Sequence, residues 1–169
     1  MKKLVLVLAI VFAGLTSANA QVWIGGGVGA QIQKGLTAIE IAPEIGYVIN
    51  NQWQIALGAD YAFASAYGTA NLLYLEPYVR YVGGTIGKKF SLFVDLTGDF
   101  NLLDAGKGYG IFLRPGIAWQ ATDKFTAAFR LGYLGYDHGF NPGGSFNSNN
   151  GFVMNCDLAA PQIRLYYNF

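Results

Sequence analysis

The sequence predicts an all-β fold, an eight-stranded antiparallel up-and-down transmembrane β-barrel. Three observations predict it. Counting back from Phe169 in twos gives Tyr167, Leu165, Ile163, Pro161 and Ala159, with Asn168, Tyr166, Arg164 and Gln162 between them. That is a strand with one apolar face and one polar face. The same alternation recurs seven more times upstream, and charges inside the strand cores keep to the other face. Charged residues make up only 12% of the chain, against roughly 25% in soluble domains. Aromatics reach 15% and there are 23 glycines, a composition for short strands and turns rather than helices.

The first twenty residues read as a targeting segment. Met1-Lys2-Lys3 is a positive start, Leu4 to Leu15 is apolar, and Ala18-Asn19-Ala20 is a small-x-small cleavage site. The apolar run is shorter than the roughly 20 residues of a membrane helix. The expected division is a cleaved signal peptide over 1–20 and a barrel domain over 21–169. Loss of Lys2 and Lys3 takes the formal charge from +1 to −1, and no basic field points to nucleic acid. Cys156 is the only cysteine, so no intrachain disulfide forms, and a small thiol packed inside is expected.

Eight strands follow in order. The first, near 22–32, puts Val22, Ile24, Val28 and Ile32 on one face. The second, near 39–48, opposes Ile39, Ile41, Ile45 and Tyr47 to Glu40 and Glu44. The third, near 54–63, opposes Ile55, Leu57, Ala59, Tyr61 and Phe63 to Asp60. The fourth, near 72–82, opposes Leu73, Leu75, Val79 and Tyr81 to Glu76 and Arg80. The fifth, near 91–102, opposes Leu92, Val94, Leu96 and Phe100 to Asp95 and Asp99. The sixth, near 109–119, opposes Ile111, Leu113, Ile117 and Trp119 to Arg114. The seventh, near 125–136, opposes Phe125, Phe129, Leu131 and Tyr133 to Arg130. The eighth, near 157–169, opposes the terminal series to Arg164.

Across these segments the apolar face carries no charged, amide or imidazole side chain except Asp157. At about 3.3 Å per residue and a tilt near 45°, Asp157 stands roughly 28 Å from Phe169, just beyond an apolar band about 25 Å tall. A soluble barrel also alternates, but it turns its polar face to water. Here the polar face is sparsely charged and rich in small residues such as Gly25, Gly27, Gly58, Ala62, Gly116, Ala118 and Gly132, which suits a crowded interior. Lys34, Lys88, Lys89, Lys107 and Lys124 fall in connections.

Asn50-Asn51, Gly83 to Lys89 and Ala121 to Lys124 are compact connections, whereas Asp137 to Gly151 is long and polar. Short turns on the periplasmic side and longer loops outside are the barrel pattern. Tyr47, Trp53, Tyr81, Trp119, Phe125, Tyr167 and Phe169 fall near the short turns, and Tyr61, Phe63, Tyr74, Tyr109 and Tyr133 near the loops. Two aromatic girdles at the headgroup level are therefore expected. A proline recurs on each even strand, in Pro43-Glu44-Ile45-Gly46-Tyr47, Pro77-Tyr78-Val79-Arg80-Tyr81, Pro115-Gly116-Ile117-Ala118-Trp119 and Pro161-Gln162-Ile163-Arg164-Leu165. Proline cannot donate to a ladder, so each predicts a bulge or a missing bond.

These features resemble the small outer-membrane β-barrel family of OmpA/OmpX type, across essentially the whole of 21–169. The signal segment, the proline steps ending even strands, and Ile163, Leu165, Tyr167 and Phe169 carry the resemblance. It implies a multi-pass protein of the bacterial outer membrane, in contact with lipid and lipopolysaccharide. It also implies that the terminal aromatic strand is the signal read by the barrel assembly machinery, after escort by periplasmic chaperones. Members include structural, adhesive and enzymatic barrels, so the family alone does not set the role.

An eight-strand interior is just wide enough for side chains to fill. Glu40, Glu44, Asp60, Glu76, Asp95 and Asp99 face Arg80, Arg114, Arg130 and Arg164 there. A salt-bridged plug holding the barrel's shape is the favoured reading, and a gate or narrow ion path the alternative. A structural or surface-interaction role without a large pore follows, in a monomer. Loop aromatics Tyr67, Tyr109, Phe140 and Phe146 offer a second class, adhesion or binding of an unidentified extracellular ligand. A lipid-modifying enzyme is the third class. His138 beside Asp137, with Ser145 and Ser148 beyond, lies in a glycine-rich loop ill-suited to hold a base against a hydroxyl. No enzyme activity, metal or cofactor is expected.

Overall fold

The computed structural model describes residues 21–33, 36–65, 69–103, 108–138, 150–156 and 162–169. The targeting segment, Lys34, Tyr67, Lys107, Phe140, Phe146, Ser145, Ser148, Asp157 and Pro161 lie outside the described residues. Ten strand segments occur in chain order: β1 (Gln21–Gln33), β2 (Leu36–Val48), β3 (Trp53–Ser65), β4 (Thr69–Ile86), β5 (Phe90–Asn101), β6 (Tyr109–Gln120), β7 (Phe125–Arg130), β8 (Tyr133–His138), β9 (Gly151–Asn155) and β10 (Gln162–Asn168). The described residues contain no helix.

Neighbours in sequence pair antiparallel from β1 through β6. β7 and β8 both pair with β6, so they are two halves of one barrel strand. β9 pairs with β8 and β10 with β7, so these too are halves of one strand. β10 then pairs with β1 from Trp23↔Asn168 to Gly26↔Leu165, which closes the sheet. The result is a closed eight-stranded antiparallel barrel. Compact connections at 49–52, 87–89 and 121–124 lie at the same end as Gln21 and Phe169, called the turn end below.

The prolines interrupt the ladders in two ways. At Pro43 the β2–β3 pairing passes from Ile41↔Tyr61 to Glu44↔Gly58 with nothing paired between. At Pro77 the β4–β5 pairing passes from Leu75↔Phe100 to Tyr78↔Thr97. Register is kept in both, as expected where a missing N–H simply removes a bond. Pro115 differs. β6–β7 pairing ends at Gly116↔Arg130 and β6–β8 pairing resumes at Leu113↔Leu134, so Arg114 and Pro115 face three residues, Leu131 to Tyr133. This is a bulge. The Leu131 N–H donates to the Pro115 carbonyl at 2.9 Å. Gly132 adopts φ 147° there, and a Cβ on it would overlap the Asn155 carbonyl.

One extra residue exchanges the faces beyond it. Tyr133, expected outside, shares the inward face of Asp137, and its ring lies 5.5 Å from that of the fully buried Phe112. Tyr136 points out instead. Tyr74, expected in the loop-side girdle, sits on the Glu76 face opposite Asp60 and is also inward. The eighth strand starts at Gly151 rather than near 157, which shortens the last connection. Along β9, Phe152 and Met154 point out, and Cys156 continues that face: it is exposed, not packed inside.

The outer wall is apolar. Val28 is 84% exposed and Phe152 74%, with Ile41, Leu96, Ile111, Leu113 and Ile163 each about half exposed. Contiguous exposure of this kind marks a surface made for an apolar partner. At the turn end Trp53, Tyr81, Trp119, Phe125 and Phe169 are exposed and Tyr47 and Tyr167 partly so. Trp53 and Tyr81 are ladder partners with ring centroids 4.9 Å apart, and Tyr167 packs edge-on against both Phe125 and Phe169. Tyr61 and Tyr109 are exposed toward the other end.

Inside, toward the turn end, Trp23, Tyr78, Phe93, Ala118, Ala128 and Tyr166 form one buried cluster. Three of the four large rings cover a glycine on the adjacent strand. A Cβ at Gly46 would overlap the Trp23 indole, one at Gly25 the Tyr166 ring, and one at Gly116 the Phe93 ring. Gly46, Gly25 and Gly116 are therefore sockets for aromatic side chains.

The charged lumen, a candidate functional site

Above that cluster the lumen holds a continuous ion-pair network. Arg80, Arg114, Arg130 and Arg164 are all nine-tenths or more buried. Arg80 (β4) forks onto Asp95 (β5), with Nε donating to Oδ1 at 2.7 Å and Nη2 to Oδ2 at 2.9 Å. Arg130 (β7) donates from Nε to Asp95 Oδ2 at 3.0 Å and from Nη1 to Glu76 Oε1 at 2.7 Å, and lies 3.7 Å from Glu44. Arg114 (β6) donates to Glu76 Oε2 at 2.6 Å and to Asp99. Arg164 (β10) donates to Glu44 Oε1 at 2.8 Å and Asp60 Oδ2 at 3.3 Å, with Glu40 at 3.6 Å.

Thus each of the six carboxylates lies within reach of an arginine from another strand. Arg164 reaches past β1 to β2 and β3 because β1 presents Gly27 there. A Cβ on Gly27 would overlap the Arg164 guanidinium. Aromatics complete the cage. The Arg80 guanidinium stands 4.0 Å from the Phe93 centroid, and that of Arg130 4.9 Å from Tyr78. The Tyr78 and Tyr166 hydroxyls donate to Glu44 Oε2 at 2.6 and 3.0 Å. Charge-assisted bonds of this geometry are about twice as strong as neutral ones, and cation–π contacts add about 0.5–2 kcal/mol when desolvated. They offset the several kcal/mol per ion that burial costs.

Phe112, Arg130, Thr97 and Asp95, in the middle of the lumen, are fully buried. Toward the other end Glu40 and Asp60 keep 38% and 15% side-chain exposure. Four buried polar atoms, Trp23 Nε1, Asp99 Oδ1, Arg114 Nε and Arg130 Nη2, lack a protein partner among the described residues. Asp137 is a further inward, buried carboxylate that the sequence places in a loop. Period-two counting finds it only if the bulge at Gly132 is recognised. The lumen aromatics Trp23, Tyr78, Phe93, Phe112 and Tyr166 carry a readable signal, since each shares the parity of the charges.

Asp137 and His138 point to opposite faces. The carboxylate is buried, while the exposed imidazole rests 5.1 Å from the Tyr109 ring on the outer wall. Among the described residues no group of three His, Cys, Asp or Glu is disposed to hold a metal ion. In the terminal strand Ile163, Leu165 and Phe169 are exposed and Tyr167 half-buried, all on the outer face. Phe169 N–H donates to the Val22 carbonyl at 3.0 Å.

No protein-family model matches the sequence, and no curated protein is similar to it. Among solved structures, one described as "De novo design of transmembrane beta-barrels" aligns over 89% of this chain and 93% of its own, at 8% identity and a TM-score of 0.41. The barrel assignment rests on the strand pairing of this chain itself.

Proposed function

We propose that the chain is a small outer-membrane β-barrel protein of OmpA/OmpX kind, standing in the bacterial outer membrane with its turn end in the periplasm. Its role is structural or surface-interacting, with a side-chain-filled lumen and no large pore. One observation carries this reading. The chain buries four arginines and exposes Val28, Leu96, Ile111 and Leu165, the reverse of a barrel made for water. Lipid against that wall, with lipopolysaccharide in the outer leaflet, accounts for exposure that water would penalise at roughly 25 cal/mol per Å².

The filled cross-section supports a monomer that stabilises its own shape through the lumen. Ile163, Leu165, Tyr167 and Phe169 form the outward ridge that the barrel assembly machinery reads, after periplasmic chaperones have delivered the chain. The opposed directions of Asp137 and His138 speak against an acid–base pair, and so against a lipid-modifying enzyme. Glu40 and Asp60, partly exposed above the network, favour a narrow ion path as the second reading. Adhesion through the loops remains the reading for a partner outside the described residues.

Planar-bilayer conductance of the refolded protein tests the proposal. Only small or rare events are expected. A steady porin-sized current would contradict the filled lumen.

A further inference from the structure

The turn end of the barrel is open. Between the turns and the Trp23 and Phe93 rings lies a cavity of about 410 Å³, a size typical of small-molecule sites, roughly 300–1,000 Å³. Six inward side chains from six strands wall it: Gln54, Thr85, Ser91, Gln120, Thr126 and Asn168. All are uncharged hydrogen-bonding groups. Asn168 Nδ2 donates to Thr126 Oγ1 at 3.2 Å. The other four side chains make no protein hydrogen bond among the described residues, so their donors and acceptors converge on the cavity unused.

The charges lining the cavity are mostly of one sign. Lys88 and Lys89 stand in the β4–β5 turn at the rim, and Arg80 lies in the floor, against the side-chain carboxylate of Asp123. Arg80 is 3% exposed and fixed by Asp95, so it is a rigid floor cation rather than a mobile one. The ion-pair network beyond it has more carboxylates than arginines, yet of that network the Arg80 guanidinium alone lines the cavity.

We propose that this cavity binds small organic anions, molecules with one carboxylate or phosphate group and a hydroxyl- or amide-bearing body, entering from the turn end. Lys88 and Lys89 select the charge. Gln54, Gln120 and Asn168 hold the neutral body. The site does not depend on which compartment the turn end faces.

Refolded protein in detergent micelles is titrated at constant ionic strength with glucose 6-phosphate, gluconate, glucose and inorganic phosphate. Side-chain amide and indole NMR shifts report the site, and calorimetry the affinity. At least one of the two organic anions is expected to bind saturably and about tenfold tighter than glucose or inorganic phosphate, a difference of about 1.4 kcal/mol. Shifts centre on the amides of Gln54, Gln120 and Asn168 and the Trp23 indole. The double variant Lys88→Gln/Lys89→Gln, in an exposed turn, and Gln54→Leu each weaken binding about fivefold or more while the barrel spectrum is retained. Absence of saturable binding by both anions, shifts reproduced by sodium chloride, equal binding of inorganic phosphate, or affinity unchanged in both variants would each overturn the proposal.

Discussion

Arg80 and Asp95 are direct partners across the β4–β5 ladder, and their side chains meet in a two-pronged bond at 2.7 and 2.9 Å. The strand register alone brings them together. Arg130 then reaches the same carboxylate from the far wall at 3.0 Å. The lumen is thus built from one local pair extended into a cross-barrel web, and the two arginines have unequal standing in it.

Replacing Arg130 with Met strips partners from Asp95 and Glu76 together and should destabilise the barrel by about 3–5 kcal/mol. Arg80→Met leaves Asp95 its bond to Arg130 and should lose less. The double variant Arg80→Met/Asp95→Leu should lose more than Arg80→Met, because Asp95 also accepts from Arg130 Nε and its removal leaves that arginine bonded to Glu76 alone. Urea titration of protein folded into lipid vesicles measures all three. No loss in Arg130→Met would contradict a buried network.

A packing prediction concerns Gly46, which lies beneath the Trp23 indole. Gly46→Val should overpack the cluster at a cost of about 1–3 kcal/mol, with a red shift of the Trp23 emission as the ring is displaced. Gly84→Val, where a Cβ meets nothing within 4 Å, should be close to neutral. Equal effects at the two positions would remove the socket interpretation.

The sequence makes most of this wall legible because an unbroken strand repeats every two residues. From Val22 to Arg130 the parity of the apolar residues places every charge within a strand inside, and so places the arginines among the carboxylates. Which carboxylate each arginine meets is not legible. Arg164 and Glu44 are 120 positions apart, and their contact depends on the space left by Gly27 on the intervening strand. Nor is the face exchange at Gly132 legible, since glycine fits a strand, a bulge or a turn. That one residue explains the inward Tyr133 and Asp137. Cys156 is exposed because β9 turns its even-numbered residues outward, the reverse of β10.

Deleting Phe169 tests the terminal strand. The side chain is 70% exposed and touches Tyr167, so the lumen is undisturbed. Outer-membrane insertion in cells should slow or fail, while refolding in detergent survives with at most the loss of one backbone bond, about 1 kcal/mol. A truncated chain that assembles in cells at the normal rate would show that Ile163, Leu165, Tyr167 and Phe169 are not the assembly signal.

Insertion energetics separate the outer wall from the turns. Arg at Leu96, Leu57 or Ile117 should cost about 2–4 kcal/mol each in vesicles. Arg at Asn51, an exposed turn position, should cost little. Matching costs at Leu96 and Asn51 would argue against lipid at the wall.

The most direct measurement places a fluorophore on the outer wall and on a turn. In a Cys156→Ser background, single cysteines at Leu96 and at its ladder partner Leu113, both outward, are labelled and reconstituted in vesicles, with Asn51 as the turn control. Lipids carrying a nitroxide deep in the acyl chain should quench the labels at Leu96 and Leu113 strongly and the label at Asn51 weakly, while aqueous iodide does the reverse. Strong iodide quenching at Leu96 with no response to the lipid nitroxide would contradict the central claim, that this barrel buries its charges and turns its apolar wall to a bilayer.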